Sequence, residues 1–98
     1  MKLSDKQKQY LRGLAHSLKP VVHIGSAGIT PGLLTELDQN LEHHELLKVK
    51  LRVGDRATRD VAINELVERS AAALIGRIGN VAILYRCRKD KPAIVLPG

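Results

Sequence analysis

A length of 98 residues with 44% hydrophobic residues predicts one globular domain, because the chain is long enough for one hydrophobic core but not for two. No apolar run approaches the ~20 residues that cross a bilayer, and the polar segment 1–6 does not resemble a secretory signal, so we expect neither feature. The formal net charge of +6 favours an anionic partner such as nucleic acid.

The positive charge is concentrated at the two ends of the chain. Residues 1–24 carry five Lys or Arg against one Asp, and residues 78–98 carry four against one. Residues 25–77 are nearly balanced, with seven basic and eight acidic residues. Two interpretations of this distribution stay open: a footprint for a nucleic acid, or simply two charged termini.

The hydrophobic pattern of the first half predicts a helix, a strand and a second helix. The first helix is expected at about residues 4–16, where a capping-box spacing precedes an apolar arc. A short β-branched run predicts a strand at about 21–24. The second helix is expected at about 31–43, because Thr30-Pro31 supplies an N-cap residue and a proline at the first helical position.

The next segment, 47–53, alternates strictly between apolar and basic residues, which predicts a half-buried strand. The apolar members are expected to face the core: Leu47, Val49, Leu51 and Val53. The basic members are expected to point to the opposite side: Lys48, Lys50 and Arg52. We therefore expect a sheet with one face covered by helices and the other face open and basic.

A third helix is predicted at about 57–72, and two further strands follow at 74–78 and 81–85. Gly79-Asn80 separates these strands by two residues, as in a tight β-hairpin. Strands joined through helices are normally parallel, whereas a hairpin is antiparallel. The predicted fold class is therefore α/β: a single domain with the order α-β-α-β-α-β-β, a four-stranded mixed sheet and three helices. The apolar run 93–96 is a candidate for an additional edge strand.

A G-x-x-G segment, Gly25-Ser26-Ala27-Gly28, lies between the first strand and the second helix. Glycine allows another backbone to approach closely, and free N–H groups at a helix start favour an anion such as phosphate. The segment is neither a dinucleotide fingerprint nor a P-loop. Two interpretations stay open: an ordinary turn, or a loop that clamps a nucleotide backbone as in KH domains.

Neither a metal site nor a catalytic site is predicted. His43-His44, between Glu42 and Glu45, lacks the spacing of a metal site, so we expect a solvated helix end. Cys87 is the only cysteine, which excludes an intrachain disulfide and fits a reducing cytoplasm. No serine has a recognisable triad setting, and no activating base for Cys87 can be identified.

Aromatic residues are nearly absent. The chain has two tyrosines, Tyr10 and Tyr85, and no Phe or Trp, and both tyrosines fall in apolar patterns that predict core positions. Proteins that read single-stranded bases usually stack them on exposed aromatic rings. If RNA is bound, we therefore expect contacts to its backbone and shape to dominate over contacts to its bases.

Short segments distributed over most of the chain carry a resemblance to a known family. They include Leu11-Arg12-Gly13-Leu14-Ala15-His16, Leu18-Lys19-Pro20-Val21-Val22, Gly25-Ser26-Ala27-Gly28-Ile29-Thr30, Glu42-His43-His44-Glu45-Leu46, Lys48-Val49-Lys50 and Leu84-Tyr85-Arg86. Together they resemble the bacterial YhbY family, the stand-alone form of the CRM (chloroplast RNA splicing and ribosome maturation) domain. Ser70-Ala71-Ala72-Ala73 departs from the family at the end of the third helix, which leaves the boundary before the third strand open.

The resemblance implies a fold similar to the C-terminal domain of the third bacterial initiation factor. It also implies RNA binding through the G-x-x-G loop and neighbouring basic residues, and association with precursors of the large ribosomal subunit. The residues expected to contact RNA are Gly25, Ser26, Ala27, Gly28, Lys8, Arg12, Lys19, Lys48, Lys50, Arg52 and Arg86.

We therefore expect a non-catalytic, cytoplasmic RNA-binding protein that acts in ribosome assembly, with no cofactor, metal ion or small-molecule substrate. The alternative is a protein–protein adaptor that docks its basic face on an acidic partner. A small enzyme acting on a phosphate ligand is a third and weaker hypothesis.

Overall fold

Three helices and four strands follow one another in the predicted order in the computed structural model, which describes residues 2–52 and 54–98. The helices are α1 (Asp5–Ala15), α2 (Pro31–His44) and α3 (Arg56–Ser70). The strands are β1 (Val22–Ile24), β2 (Leu46–Leu51), β3 (Ala73–Ile78) and β4 (Val81–Tyr85). None of the described helices is long and apolar enough to cross a membrane. The predicted inward position of Val53 lies outside the described residues.

The four strands form one mixed sheet in the order β1-β2-β4-β3, which confirms the predicted fold class. β1 pairs in parallel with β2 because α2 carries the chain back to the start of the sheet. β4 is antiparallel to both β2 and β3. The Gly79-Asn80 turn joins Ile78 to Val81 as predicted, and Gly79 takes a left-handed φ of +58° that suits glycine.

Local hydrogen bonds explain where the helices begin and end. Ser4 and Gln7 form both bonds of the predicted capping box, at 3.0 and 3.1 Å. Ala71 adopts a left-handed φ of +58° and ends α3 at the preceding residue. The boundary that the 70–73 segment left open therefore falls between Ser70 and Ala73. The 93–96 segment is not a strand, so that candidate was wrong.

One hydrophobic core fills the space between the sheet and the helices α2 and α3. Leu37 and Leu41 of α2 are four positions apart and Ile63 and Leu66 of α3 are three positions apart, so each pair shares one helix face, and all four are buried there. The strand residues of this core are Val22, Ile24, Leu47, Val49, Leu51, Ala82 and Leu84. The predicted inward positions of Leu47, Val49 and Leu51 are therefore confirmed.

A second core covers part of the opposite sheet face, where an open and basic face was expected. Its buried residues are Leu11, Ala15, Leu46, Ile75, Ile83 and Tyr85. α1 packs over this core, and residues Ile94 and Leu96 of the C-terminal segment pack beside it. The expectation was wrong because the sheet face that carries the basic residues of β2 also carries apolar residues of β3 and β4. These apolar residues must be shielded from water by other elements of the chain. Tyr85 is buried as predicted, whereas Tyr10 is 43% exposed.

Glu45, between α2 and β2, holds the C-terminal segment in place. Its backbone takes a left-handed φ of +62°, which turns its side chain into the interior, and the residue is fully buried. The carboxylate accepts three backbone hydrogen bonds, from Arg88 at 2.8 Å, Ala93 at 2.7 Å and Ile94 at 2.9 Å. The predicted solvated helix end therefore holds for the exposed His43 and His44 but is wrong for Glu45.

Opposing influences act on the pKa of the Glu45 carboxyl. Burial by itself raises the pKa, whereas the three backbone N–H donors and the nearby Arg88 guanidinium lower it. The net result is a pKa below the ordinary value of 4.5. A carboxylate with a lowered pKa contributes stability above the pKa of the unfolded chain, and this contribution is lost as the pH falls through the folded pKa.

We predict that Glu45→Gln lowers the free energy of unfolding by about 1–3 kcal/mol, because an amide cannot accept at both former carboxylate oxygens and leaves a buried donor unpaired. Acidification below pH 4.5 should destabilise the parent protein more than the variant. Urea unfolding above and below this pH measures both effects, with Glu36→Gln, at an exposed position of α2, as the control. Parallel pH profiles of parent and Glu45→Gln would contradict the assignment.

Candidate nucleic-acid interface

The G-x-x-G segment forms an exposed tight turn after β1. The Gly28 N–H donates to the Gly25 carbonyl oxygen at 3.0 Å, which closes the four-residue turn. Gly28 has a φ of +73°, a backbone conformation that L side chains rarely adopt. Gly25 has no such φ, and a Cβ built on it would meet none of the described atoms within 4 Å. The turn thus requires glycine at position 28 but not at position 25.

The start of α2 offers fewer free N–H groups than the sequence suggested. Thr30 is the predicted N-cap: its Oγ1 accepts from the Leu33 N–H at 3.1 Å, and its carbonyl oxygen accepts from the Leu34 N–H at 3.0 Å. Pro31 has no N–H. Of this first turn, only the Gly32 N–H lacks an acceptor among the described residues. Positive charge for an anion must therefore come mainly from side chains.

A largely apolar groove of about 490 Å³ lies beside the turn. Its lining comes from the turn, the ends of β1 and β2 and the first half of α3: Ile24, Ser26, Gly28, Ile29, Arg52, Gly54, Thr58, Val61, Ala62 and Glu65. The Arg52 N–H donates to the Ile24 carbonyl oxygen at 2.8 Å, which fixes Arg52 next to the turn. Arg52 is thus the predicted basic residue that the fold brings to the G-x-x-G segment.

The remaining predicted lysines lie elsewhere on the molecule. Lys48 and Lys50 are half-buried on the sheet face that carries α1, and the Lys48 ammonium donates to the Leu18 carbonyl oxygen at 2.9 Å. Lys19 is exposed at the start of β1, whereas the turn follows its end. Lys8 is half-buried on α1. Lys8, Lys19 and Lys48 therefore do not surround the turn, whereas Lys50 pairs with His23, two residues before Gly25.

Two predicted RNA contacts, Arg12 and Arg86, make intramolecular bonds. Arg12 donates to the Ile75 carbonyl oxygen at 3.0 Å and lies against Gly76, so it joins α1 to β3. The Arg86 guanidinium bonds to Asp38 at 2.8 Å and to Glu42 at 3.3 Å, and its side chain is 17% exposed. Charge that sequence analysis assigned to a binding surface is therefore partly used inside the fold.

Three further cations, Arg56, Arg59 and Arg77, were not predicted as site residues, and they line one cavity near the same end of the sheet. They come from the nearly balanced middle of the chain, so charge counting gave no reason to single them out. One signal was available in the sequence. Arg56 begins α3, where the positive end of the helix dipole disfavours a cation, so its position has no local structural benefit.

Among the described residues, no group of three or more His, Cys, Asp or Glu side chains is arranged to hold a metal ion. Cys87 is a free, half-buried thiol. This end of the molecule presents backbone turns, cationic side chains and an apolar groove. Such groups suit the binding of a polyanion that also has apolar parts.

Residues 3–86 match the family model described as the CRS1 / YhbY (CRM) domain. The chain belongs to the CRS1/YhbY (CRM) domain family. The resemblance identified from sequence segments is thereby confirmed, and the match covers the turn, the groove and every helix and strand of this CRM domain.

Two relatives and one solved structure align with this CRM domain over nearly their whole length. A Haemophilus influenzae protein named RNA-binding protein is 50% identical over 97% of this chain and 95% of its own. A Bacillus subtilis protein, YqeI, named as a probable RNA-binding protein, is 33% identical over 97% of this chain and 99% of its own. The solution structure of a Staphylococcus aureus protein, described as a candidate RNA-binding protein, has 34% identity and a TM-score of 0.83, and the alignment covers 98% of this chain and 100% of that one.

We predict that the two glycines of the CRM-domain turn differ in their effect on folding. Gly28→Ala should lower the free energy of unfolding by about 1–2 kcal/mol, because a Cβ disfavours the left-handed conformation. Gly25→Ala should change it by less than about 0.5 kcal/mol, since the position is exposed and unstrained. Urea unfolding of both variants measures this difference, and equal losses would show that the turn itself needs both glycines.

Proposed function

We propose that this CRM domain is a non-catalytic RNA-binding protein that acts in the cytoplasm, in assembly of the large ribosomal subunit. The turn at Gly25–Gly28 contacts the phosphodiester backbone, and ribosomal RNA in subunit precursors is the partner. Gly25 carries the proposal: an exposed glycine that neither backbone strain nor internal packing requires lies next to a cation, Arg52. A closely approaching external backbone provides a reason for that glycine.

The relatives support the RNA part of this proposal, because they are named as RNA-binding proteins and align over nearly the whole chain. The resemblance to the YhbY family is the support for ribosome assembly. The alternative, an adaptor that docks on an acidic protein, gives no particular reason for a glycine at position 25. We therefore favour RNA.

Backbone contacts dominate the proposed complex. Tyr85 is buried and Tyr10 lies on α1, so no aromatic ring lines the groove beside the turn. Phosphate contacts at the turn come from its backbone and from Arg52, and we propose that the lysines at positions 8, 19, 48 and 50 contact more distant phosphates of the same RNA. Arg12 and Arg86 support this surface through their intramolecular bonds. Binding of this kind has a weak sequence preference, and its affinity falls as the salt concentration rises.

We predict that Ala27→Asp weakens binding to a structured ribosomal RNA fragment by at least about tenfold, or about 1.4 kcal/mol, because it places a carboxylate where phosphate approaches. Folding should be unaffected, since Ala27 is exposed and the substitution leaves both glycines unchanged. Gln39→Asp is the matched control: it makes the same change in net charge at an exposed position of α2. Affinities are measured at several salt concentrations, together with thermal unfolding.

Three results are distinguished by this experiment. Loss of affinity in Ala27→Asp but not in Gln39→Asp supports the loop as the contact. Equal affinity of Ala27→Asp and the parent contradicts it and leaves the segment as a turn. An affinity of the parent that does not change with salt contradicts binding through phosphates.

We further predict that the tagged protein sediments with particles of the large ribosomal subunit in a sucrose gradient at low salt. The Ala27→Asp variant should remain at the top of the same gradient, because it lacks the loop contact. Gln39→Asp should sediment like the parent. Migration of the parent only at the top would contradict the ribosomal part of the proposal and favour the adaptor hypothesis.

A further inference from the structure

A second cationic site lies on the β3 side of the start of α3. Arg56 and Arg59 from the first residues of α3 and Arg77 from β3 line a cavity of about 240 Å³, together with Gly79 of the hairpin. The groove beside the G-x-x-G turn is lined by other residues of the same helix start, so the two sites share one structural element.

The three arginines are only partly neutralised within the chain. Arg77 forms an ion pair with Asp60, and its Nε donates to the Gly79 carbonyl oxygen at 3.4 Å. Arg59 donates from Nη1 to the Gly54 carbonyl oxygen at 3.1 Å, but its buried Nε has no acceptor. For the exposed Arg56, the described residues provide no acceptor at all.

Two nearby acidic side chains compensate for only part of this excess. Asp60 forms an ion pair with Arg77. The Asp55 carboxylate caps α3, because it accepts hydrogen bonds from the Thr58 N–H and hydroxyl, each at 2.9 Å. These hydrogen bonds lower the pKa of Asp55 and the Arg59 charge also contributes to lowering it, so three guanidinium groups share two carboxylates and one positive charge remains in excess. Mutual repulsion, the helix dipole and an unpaired buried donor all disfavour this arrangement in the isolated protein.

An anion with several acceptor oxygens offsets the mutual repulsion and the conflict with the helix dipole. A phosphate group accepts several hydrogen bonds, and the planar guanidinium fork binds it in a bidentate manner. We propose that Arg56, Arg59 and Arg77 bind a phosphate group, and that this group is a second phosphodiester contact of the RNA. The RNA part of this inference rests on the proposed function. The RNA strand then crosses the start of α3, from the G-x-x-G turn to the β3–β4 hairpin.

The site is tested first with inorganic phosphate alone. In an NMR titration of the full chain, we expect phosphate to shift the Nε–H resonances of Arg59 and Arg77 and the amide resonance of Gly79. Arg56→Gln should weaken this response. The control is Lys6→Gln, which also removes a cation from the first turn of a helix but lies on α1 and outside the site. Absence of any phosphate response at these groups would overturn the site.

RNA binding is then measured for the same variants. Arg56→Gln should lower the affinity roughly three- to tenfold and reduce the salt slope by about one, whereas Lys6→Gln should not. Thermal stability of Arg56→Gln should stay at or above that of the parent, because the variant relieves the conflict with the helix dipole.

The outcomes separate this site from the proposed function. If Ala27→Asp loses RNA affinity and Arg56→Gln does not, the loop contact stands and the second RNA contact is overturned. A phosphate response without an effect on RNA means that the site takes free phosphate only, which also overturns the RNA contact. If the parent binds no RNA, the proposed function fails, and the phosphate titration alone decides whether the arginine site exists.

Discussion

Between α2 and β2 the chain turns through a left-handed residue and directs a carboxylate into the protein interior. The Glu45 side chain is fully buried, and its oxygens are satisfied by three backbone N–H groups from residues 88–94. A buried carboxylate without such partners is strongly disfavoured. The C-terminal segment must therefore dock for this turn to form, and the docked segment completes the cover of the second sheet face. The position of one carboxylate thus links the end of α2, the start of β2 and the second core.

This cover determines where positive charge remains available. α1 and the C-terminal segment pack on the face that carries the basic residues of β2, and Lys48 donates to the backbone of Leu18. Arg86, next to the docked segment, is neutralised by Asp38 and Glu42 of α2. Arg52 and Arg56, whose side chains have no acceptor among the described residues, lie at the end of the sheet where the chain leaves β1 and β2. Surface charge in this protein is therefore set by packing as much as by composition.

Local rules of stability are obeyed in the core and broken at this end of the sheet. Helix caps, core spacing and the hairpin turn all agree with the fold. Gly25 and Arg56, in contrast, gain nothing from the chain around them: one has no strain that requires glycine, and the other opposes a helix dipole. Natural sequences accept such conflicts mainly where function requires them. Both features have a reason if a polyanion crosses the start of α3.

The sequence by itself determined the order of the elements, the mixed sheet, the residues of the first core and the family. These follow from periodicity, caps and turn residues, which act over a few neighbouring positions: Leu37 and Leu41 lie one helical turn apart, and Gly79-Asn80 closes its own hairpin. The G-x-x-G turn could also be predicted from the sequence, because glycine is the residue that most readily adopts the positive φ found at Gly28.

Only the tertiary structure decided the burial of Glu45, the cover of the second face and the grouping of Arg56 and Arg59 with Arg77. Each depends on partners far away in sequence. In the sequence, Glu45 is one more charged residue beside two exposed histidines. Only the folded structure shows that backbone N–H groups of residues 88–94 donate to its carboxylate. Arg77 lies near the end of β3, and the whole of α3 separates it in sequence from Arg56, so no local pattern links the two. Hydrogen bonds and charge pairs between distant segments exist only once the chain has folded, and they decide which polar groups are used internally and which remain for a partner.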